Sequence, residues 1–154
     1  MSIVKISINL TRQFTYEKKE PLMHPKKEMT QTTEIESLKE VKQLVDLFYE
    51  KVRKDSLLAN IFNGVIKDNW PSHLEKMYRF WQTVLLQEHT YQGSPFAPHA
   101  KLPVNAKHFD RWKHLFFETI DENFHGEKAK EAKFRAEKMA EMFQFKIKYL
   151  QKKI

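Results

Sequence analysis

Apolar residues recur at steps of three and four along most of this chain, and this spacing constrains the fold more than any other feature. The first such stripe runs from Ile35 to Val52. The 154 residues include only three glycines and no cysteine. A β-sandwich rich in turns is therefore disfavoured, and disulfides, thiolate catalysis and Cys-ligated metal clusters are excluded. The length suits one domain. We therefore predict a single all-α domain.

The stripes and their breaks predict four long helices. The first begins at Ile35 and ends before a turn-like segment, residues 54–65, that presents Leu57, Leu58, Ile61 and Phe62. A second starts near Asn69 and runs to about residue 88. Residues 90–105, with three prolines, interrupt the pattern, and Asn105 can cap a third helix that reaches about residue 124. Gly126 separates it from a last helix with a basic outer face and a lysine-rich end.

Residues 1–34 differ from the rest of the chain. Val4, Ile6, Ile8 and Leu10 alternate with polar residues, which is typical of a strand, and a charged stretch with two prolines follows. We expect residues 1–34 to be a leader or linker, flexible or partly irregular, with Met29 as an alternative natural start. The remainder, residues 35–154, is expected to form the domain.

The formal charge of +7 is concentrated at the two ends. The first 30 residues hold six of the 27 Lys and Arg residues and three of the 20 Asp and Glu residues, and the tail from Lys146 adds four lysines. The 17 basic and 17 acidic residues between them balance. This pattern argues against a nucleic-acid-binding surface. No apolar run has the length of a membrane span, so we expect a cytoplasmic protein without nucleic-acid or membrane partners, and a monomer by default.

Two histidines and several large aromatics fall on or between the predicted helices. The set comprises Phe48, Tyr49, His73, Phe80, Trp81, His99 and Trp112. Such a set can surround a flat apolar slot and hold a haem iron from one side while controlling a small gas on the other. Taken singly, each member has a plainer reading: His99 as a surface loop residue, His73 as a boundary residue and Trp112 as core. No C-x-x-C-H motif is present, so the haem would be non-covalent.

The order and spacing of these residues resemble the truncated haemoglobins of the third group. The matching segments are Phe48-Tyr49, the LLANIF run that ends in Phe62, HLEKMYRFW over residues 73–81, YQGSPFAPHAKL around His99, and HFDRWKHLF over residues 108–116. The resemblance covers residues 35–149, about three-quarters of the chain. It implies a compact truncated-globin fold, with helices packed crosswise around a pocket for haem b.

The resemblance also implies roles for individual residues. His99 would be the proximal iron ligand, with His108 as a competing candidate that ranks behind it. Tyr49, His73 and Trp112 would face the distal ligand. The haem would be bound by Phe62, His73, Met77, Phe80, Trp81, His99, Phe109, Trp112 and Phe116. Lys76, Arg79 and Lys101 are candidate partners of the haem propionates, and no catalytic residue is assigned.

Three functions are consistent with these residues. The first is reversible binding of O2, with NO and CO as further ligands. The second is haem-dependent redox chemistry, as an NO dioxygenase or a peroxidase-like enzyme; the chain has no G-x-G-x-x-G motif, so this would require a separate reductase. The third, more remote, is a cofactor-free helical module that binds nucleic acid through its basic ends.

Overall fold

The computed structural model describes residues 31–153, which form five α-helices and one short parallel bridge. In chain order the elements are β1 (Thr33–Glu34), α1 (Leu38–Lys54), α2 (Ala59–Ile66), α3 (Trp70–Leu86), a 3₁₀ helix (Ala97–His99), α4 (Ala106–Asn123), β2 (Phe124–His125) and α5 (Glu127–Gln151). α1 packs against α2, α3 and α4, and α4 packs against α5. The all-α prediction is confirmed. No helix in residues 31–153 is long and apolar enough to cross a membrane.

Side chains placed at the helix starts explain where two of the helices begin. Ser37 and Glu40 form a capping box at α1, in which Glu40 accepts a hydrogen bond from the Ser37 N–H at 2.9 Å. The helix therefore starts at Leu38, and the prediction that it includes Ile35 is wrong, although Ile35 is buried beside it. Asn105 caps α4 as predicted and accepts a hydrogen bond from the Lys107 N–H at 3.0 Å.

The segment predicted as a turn contains a further helix, α2. Asp55 ends α1 and its Oδ1 accepts hydrogen bonds from the N–H groups of Leu57 and Leu58, each at 3.0 Å. The other carboxylate oxygen of Asp55 accepts a hydrogen bond from Arg111 Nε on α4 at 2.6 Å. One buried carboxylate thus turns the chain from α1 into α2 and attaches this corner to α4.

β1 and β2 pair in parallel and bring the beginning of the described chain beside the junction of α4 and α5. Gly126 follows β2 with φ of +90°, and a Cβ there would lie 3.2 Å from the Glu34 side chain. A glycine is therefore required for both the turn and the close approach. Thr33 and Glu34 belong to this bridge, two residues before the predicted domain boundary. The strand-like pattern from Val4 to Leu10 lies outside the described residues.

The apolar core has two parts. The larger part surrounds α1 and includes Phe48, Trp81 and Phe116. The smaller part consists of Phe109, Ala140, Phe143 and Ile147, with Phe96 and Val104 packed against it. Half-buried Met139 packs against both. The described residues therefore do not form one continuous buried cluster.

We predict that replacing Asp55 with alanine strongly destabilises the fold. The variant removes two backbone hydrogen bonds at the start of α2 and leaves Arg111 without its partner, so the free energy of unfolding should fall by about 2–4 kcal/mol. Urea denaturation at pH 7 measures this change. Asp110→Ala, which removes an exposed carboxylate 3.8 Å from Lys113 Nζ, should change it by less than about 0.5 kcal/mol.

The same interaction sets a pH dependence. Burial alone would raise the pKa of Asp55, but the hydrogen bonds from Arg111, Leu58 and Leu57 hold that pKa below its usual value. The stabilisation is therefore complete above about pH 4 and is lost as the pH falls further. The difference between the parent and Asp55→Ala should shrink in that acidic range. An equal difference at pH 7 and pH 3 would contradict this.

Candidate functional site

A cavity of about 940 Å³ lies between the two parts of the core and is lined by residues of both. Its volume is at the upper end of the range of roughly 300–1,000 Å³ that is usual for small-molecule and cofactor sites. Ten of its lining residues were singled out from the sequence as haem or ligand contacts or as a competing iron ligand: Tyr49, Phe62, His73, Met77, Phe80, Trp81, His99, His108, Phe109 and Trp112. The structure thus brings together residues from α1, α2, α3, α4 and the 3₁₀ helix.

His99 is held in one orientation by its own turn. It ends the 3₁₀ helix, its N–H donates to the Phe96 carbonyl, and its ring lies 4.8 Å from the Phe143 ring. Its Nδ1 is 2.7 Å from the carbonyl oxygen of Pro95. A carbonyl can only accept, so Nδ1 carries the proton and Nε2 keeps the free lone pair. Burial also lowers the pKa of His99, which favours the neutral ring. These are the properties of a metal-ligating imidazole.

His108, the competing ligand candidate, is engaged differently. Its Nδ1 accepts a hydrogen bond from the backbone N–H of Asn105 at 3.1 Å, as part of the α4 capping box. The neutral ring must then carry its proton on Nε2, and no lone pair is free to bind a metal. His108 lines the cavity as well, but its hydrogen bonding makes it a cap. The geometry thus favours His99 over His108.

Tyr49 and His73 form a polar pair in the part of the cavity next to α1. Their ring centres are 5.0 Å apart, and each ring packs edge-on against Trp70. Nε2 of His73 is buried and has no hydrogen-bond partner among the described residues. Burial and the positive charge of Lys76 lower the pKa of His73 to about 4, so the ring is neutral at pH 7. Burial likewise raises the pKa of Tyr49, whose hydroxyl stays protonated.

Stacked aromatic rings from α3 and α4 form one side of the cavity. Trp112 lies parallel to Phe116 at 5.5 Å, and Phe116 stacks on Trp81 at 4.9 Å. Trp81 and Trp112 line the cavity, whereas Phe116 is fully buried one layer behind them. Phe116, expected at the haem, does not line the cavity and packs behind the two indoles.

The cavity wall contains residues that the sequence analysis did not assign to it. Met139, Ala140 and Phe143 of α5 line it, and none of them was among the residues expected at the haem. Their stripe on α5 gave no sign that part of it faces a cavity. Lys76 and Arg79, both considered as propionate partners, also line the cavity, and Lys101 does not. The positive charges therefore come from α3.

We predict that His73→Leu stabilises the ligand-free chain. A buried nitrogen without a partner costs free energy that an apolar side chain of similar size does not, so the free energy of unfolding should rise by about 1 kcal/mol. Because the unfolded His73 takes up a proton near pH 6.5 and the folded one only near pH 4, the gain should grow as the pH falls between these values. Urea denaturation at pH 7.5 and pH 5 measures it, with exposed His114→Leu as the control. A destabilised His73→Leu would show that the histidine serves packing instead.

Comparison with known proteins agrees with this geometry. Residues 33–148 match the sequence model of the family described as bacterial-like globin. The group 3 truncated haemoglobin of Campylobacter jejuni is 36% identical over 108 residues, which cover 68% of this chain and 85% of that protein. The crystal structure of group III truncated haemoglobin from the same organism superposes with a TM-score of 0.70 at 33% identity, over 76% of this chain and 95% of the other.

These matches and the fold identify the chain. The matched region begins at β1 and includes every helix that lines the cavity. The structural match spans nearly the whole of the Campylobacter jejuni chain, at an identity well above that of a shared fold alone. The protein belongs to the bacterial-like globins and, within them, to the truncated haemoglobins of the third group.

Proposed function

We propose that this globin holds haem b non-covalently through His99 and reversibly binds O2, with NO and CO as further ligands, beside Tyr49, His73 and Trp112. The observation that carries the proposal is the state of His99. Its Nδ1–H donates to Pro95, its ring lines a cavity of about 940 Å³, and its Nε2 keeps a lone pair. The names of its relatives, truncated haemoglobins, support the same cofactor.

The residues around the cavity fit a haem on physical grounds. Residues of both parts of the core face the same space, so a flat apolar macrocycle in the cavity would contact both parts at once. Lys76 and Arg79 at the wall supply positive charge for carboxylates. When bound, haem supplies an iron centre with one position for an imidazole and one for a small exogenous ligand.

His99 is suited to hold the group firmly. The Pro95 carbonyl fixes the ring tautomer and increases the basicity of Nε2, and the Phe143 ring restricts the rotation of the imidazole. The pKa of His99 is lowered by burial, so its ring does not compete for a proton at neutral pH. The affinity for the cofactor should therefore be less sensitive to acid than it would be with a histidine of ordinary pKa.

Tyr49 and Trp112 are suited to stabilise a polar diatomic ligand. The Tyr49 hydroxyl stays protonated, the Trp112 indole carries an N–H, and both residues line the cavity. Neither group donates a hydrogen bond to another described residue. A donor directed at partial negative charge in a largely apolar cavity contributes about 1–3 kcal/mol. His73 adds a neutral imidazole whose buried Nε2 has no hydrogen-bond partner within residues 31–153. The two donors, Tyr49 and Trp112, therefore favour slow release of the ligand.

We predict that His99→Ala loses histidine ligation and His108→Ala retains it. Absorption spectra of the full chain titrated with haemin, recorded ferric, ferrous and ferrous with CO, measure ligation. The parent and His108→Ala should take up one haem with a Soret band that shifts with CO. His99→Ala should bind weakly or show altered ligation, and added imidazole should restore the parent spectrum. A colourless parent protein, or an unchanged spectrum in His99→Ala, would refute the assignment.

We predict that Tyr49→Phe accelerates O2 release from the haem-loaded protein. Loss of one buried donor should raise the dissociation rate constant by roughly 10- to 100-fold, while CO, a weaker acceptor, should respond less. Stopped-flow mixing of the oxygenated protein with CO measures this rate. Tyr78→Phe is the matched control, because Tyr78 lies on α3, hydrogen-bonds to Asp46 and does not line this cavity. Equal O2 release from Tyr49→Phe and the parent would exclude Tyr49 as the donor.

A further inference from the structure

The outward face of α5 exposes more large apolar side chains than any other described element. Phe134 is 56% exposed, Phe145 72% and Tyr149 51%, and Met142 lies on the same side of the helix. At 100° per residue these four fall within one stripe. The helix has 25 residues and is therefore about 37 Å long. None of these four side chains lines the haem cavity.

Along the centre of this stripe, a set of residues recurs with the spacing of a coiled-coil heptad; we call this set the heptad line. Its positions are separated alternately by four and three residues, which is the 3.5-residue period of a helix–helix seam. Each member is exposed except Glu131, which is half-buried. The line, read from the beginning of α5 to the C-cap residue that follows it, is Glu127, Glu131, Phe134, Lys138, Glu141, Phe145, Lys148 and Lys152.

The line is complementary to itself when it is read in the opposite direction. Reversal about its centre sets Phe134 opposite Phe145 and Lys138 opposite Glu141. The outer positions pair in the same way: Glu127 opposite Lys152 and Glu131 opposite Lys148. From this pattern we infer that two copies of the chain associate through antiparallel α5 helices. A two-fold axis near residues 139 and 140 would make each pair occur twice, as in an isologous dimer.

The charges select the antiparallel orientation. A parallel pair in register would place Glu127, Glu131 and Glu141 against their own copies, and likewise the lysines, which is repulsive. Within one chain, charged residues of the line already form ion pairs, such as Lys138 with Glu141 at 3.0 Å and Glu127 with Lys130, which lies off the line, at 2.8 Å. These pairs are exposed and hold little free energy, so their members can exchange partners at a dimer contact.

The three glutamates also identify the occupant of the face. An anionic membrane or an acidic protein would meet Glu127, Glu131 and Glu141 along the seam itself. A second copy of this chain instead offers a lysine at each of these positions. The eight positions of the line give eight layers of facing residues in the dimer. Two layers pair Phe134 with Phe145, and the other six pair a glutamate with a lysine.

Sedimentation equilibrium of the full chain tests the inference. The parent should form dimers that dissociate on dilution, and Phe145→Asp should raise the dissociation constant by at least about tenfold. Leu150→Asp is the matched control, because Leu150 is 40% exposed on the same helix but lies off the seam, and it should dimerise as the parent does. A parent that stays monomeric up to about 1 mM, or a Phe145→Asp variant that dimerises normally, would overturn it.

A charge exchange tests the orientation. Glu141→Lys should weaken dimerisation because it sets two lysines opposite each other near the two-fold axis. Adding Lys138→Glu to this variant restores opposite charges at 138 and 141 and should restore the dimer. Circular dichroism should show equal helix content in all variants, since both residues are exposed. If the double variant is no better than the single one, the antiparallel register is wrong.

Discussion

The structure is organised around a space that its own side chains do not fill. The buried residues form two groups, one around α1 and one where α4, α5 and the 3₁₀ segment meet, and Met139 packs against both. Dispersion and hydrophobic stabilisation across the cavity are therefore missing from the chain alone. The proposed haem would restore them, and the stability of the fold would then depend on cofactor binding by mass action.

The chemistry of the cavity depends on what the protein does with each imidazole nitrogen. In the part of the chain that the structure describes, three histidines line it, and each has a different hydrogen-bonding state. His99 donates from one nitrogen to a carbonyl and keeps a lone pair on the other. His108 accepts a hydrogen bond at the start of a helix, and His73 has a buried nitrogen to which no described residue is hydrogen-bonded. The first state, a ring oriented by a carbonyl with its second nitrogen free, is the one expected of a metal-ligating imidazole.

Periodicity predicted the four long helices because each buries a broad apolar stripe, and Asn105 marked a cap that the structure confirms. It did not predict α2, since this helix is held by the Asp55 carboxylate and its pairing with Arg111, 56 residues away. Most residues expected at the haem do line one cavity, because their helices converge there. The place of Phe116 behind the indoles, and of Phe143 against His99, depends on packing between helices, and a single sequence does not encode that in any short pattern.

The anchor of His99 is four residues away from it, within one short turn of the chain. The groups facing the other part of the cavity come instead from α1, α3 and α4, which are far apart in sequence. In the proposed function, the iron ligand and the carbonyl that orients it therefore belong to one short segment, with Phe143 of α5 packed against the ring. The groups proposed to face the gas ligand come from three helices, so single substitutions on α1, α3 or α4 are expected to change gas affinity without altering the contact between His99 and Pro95.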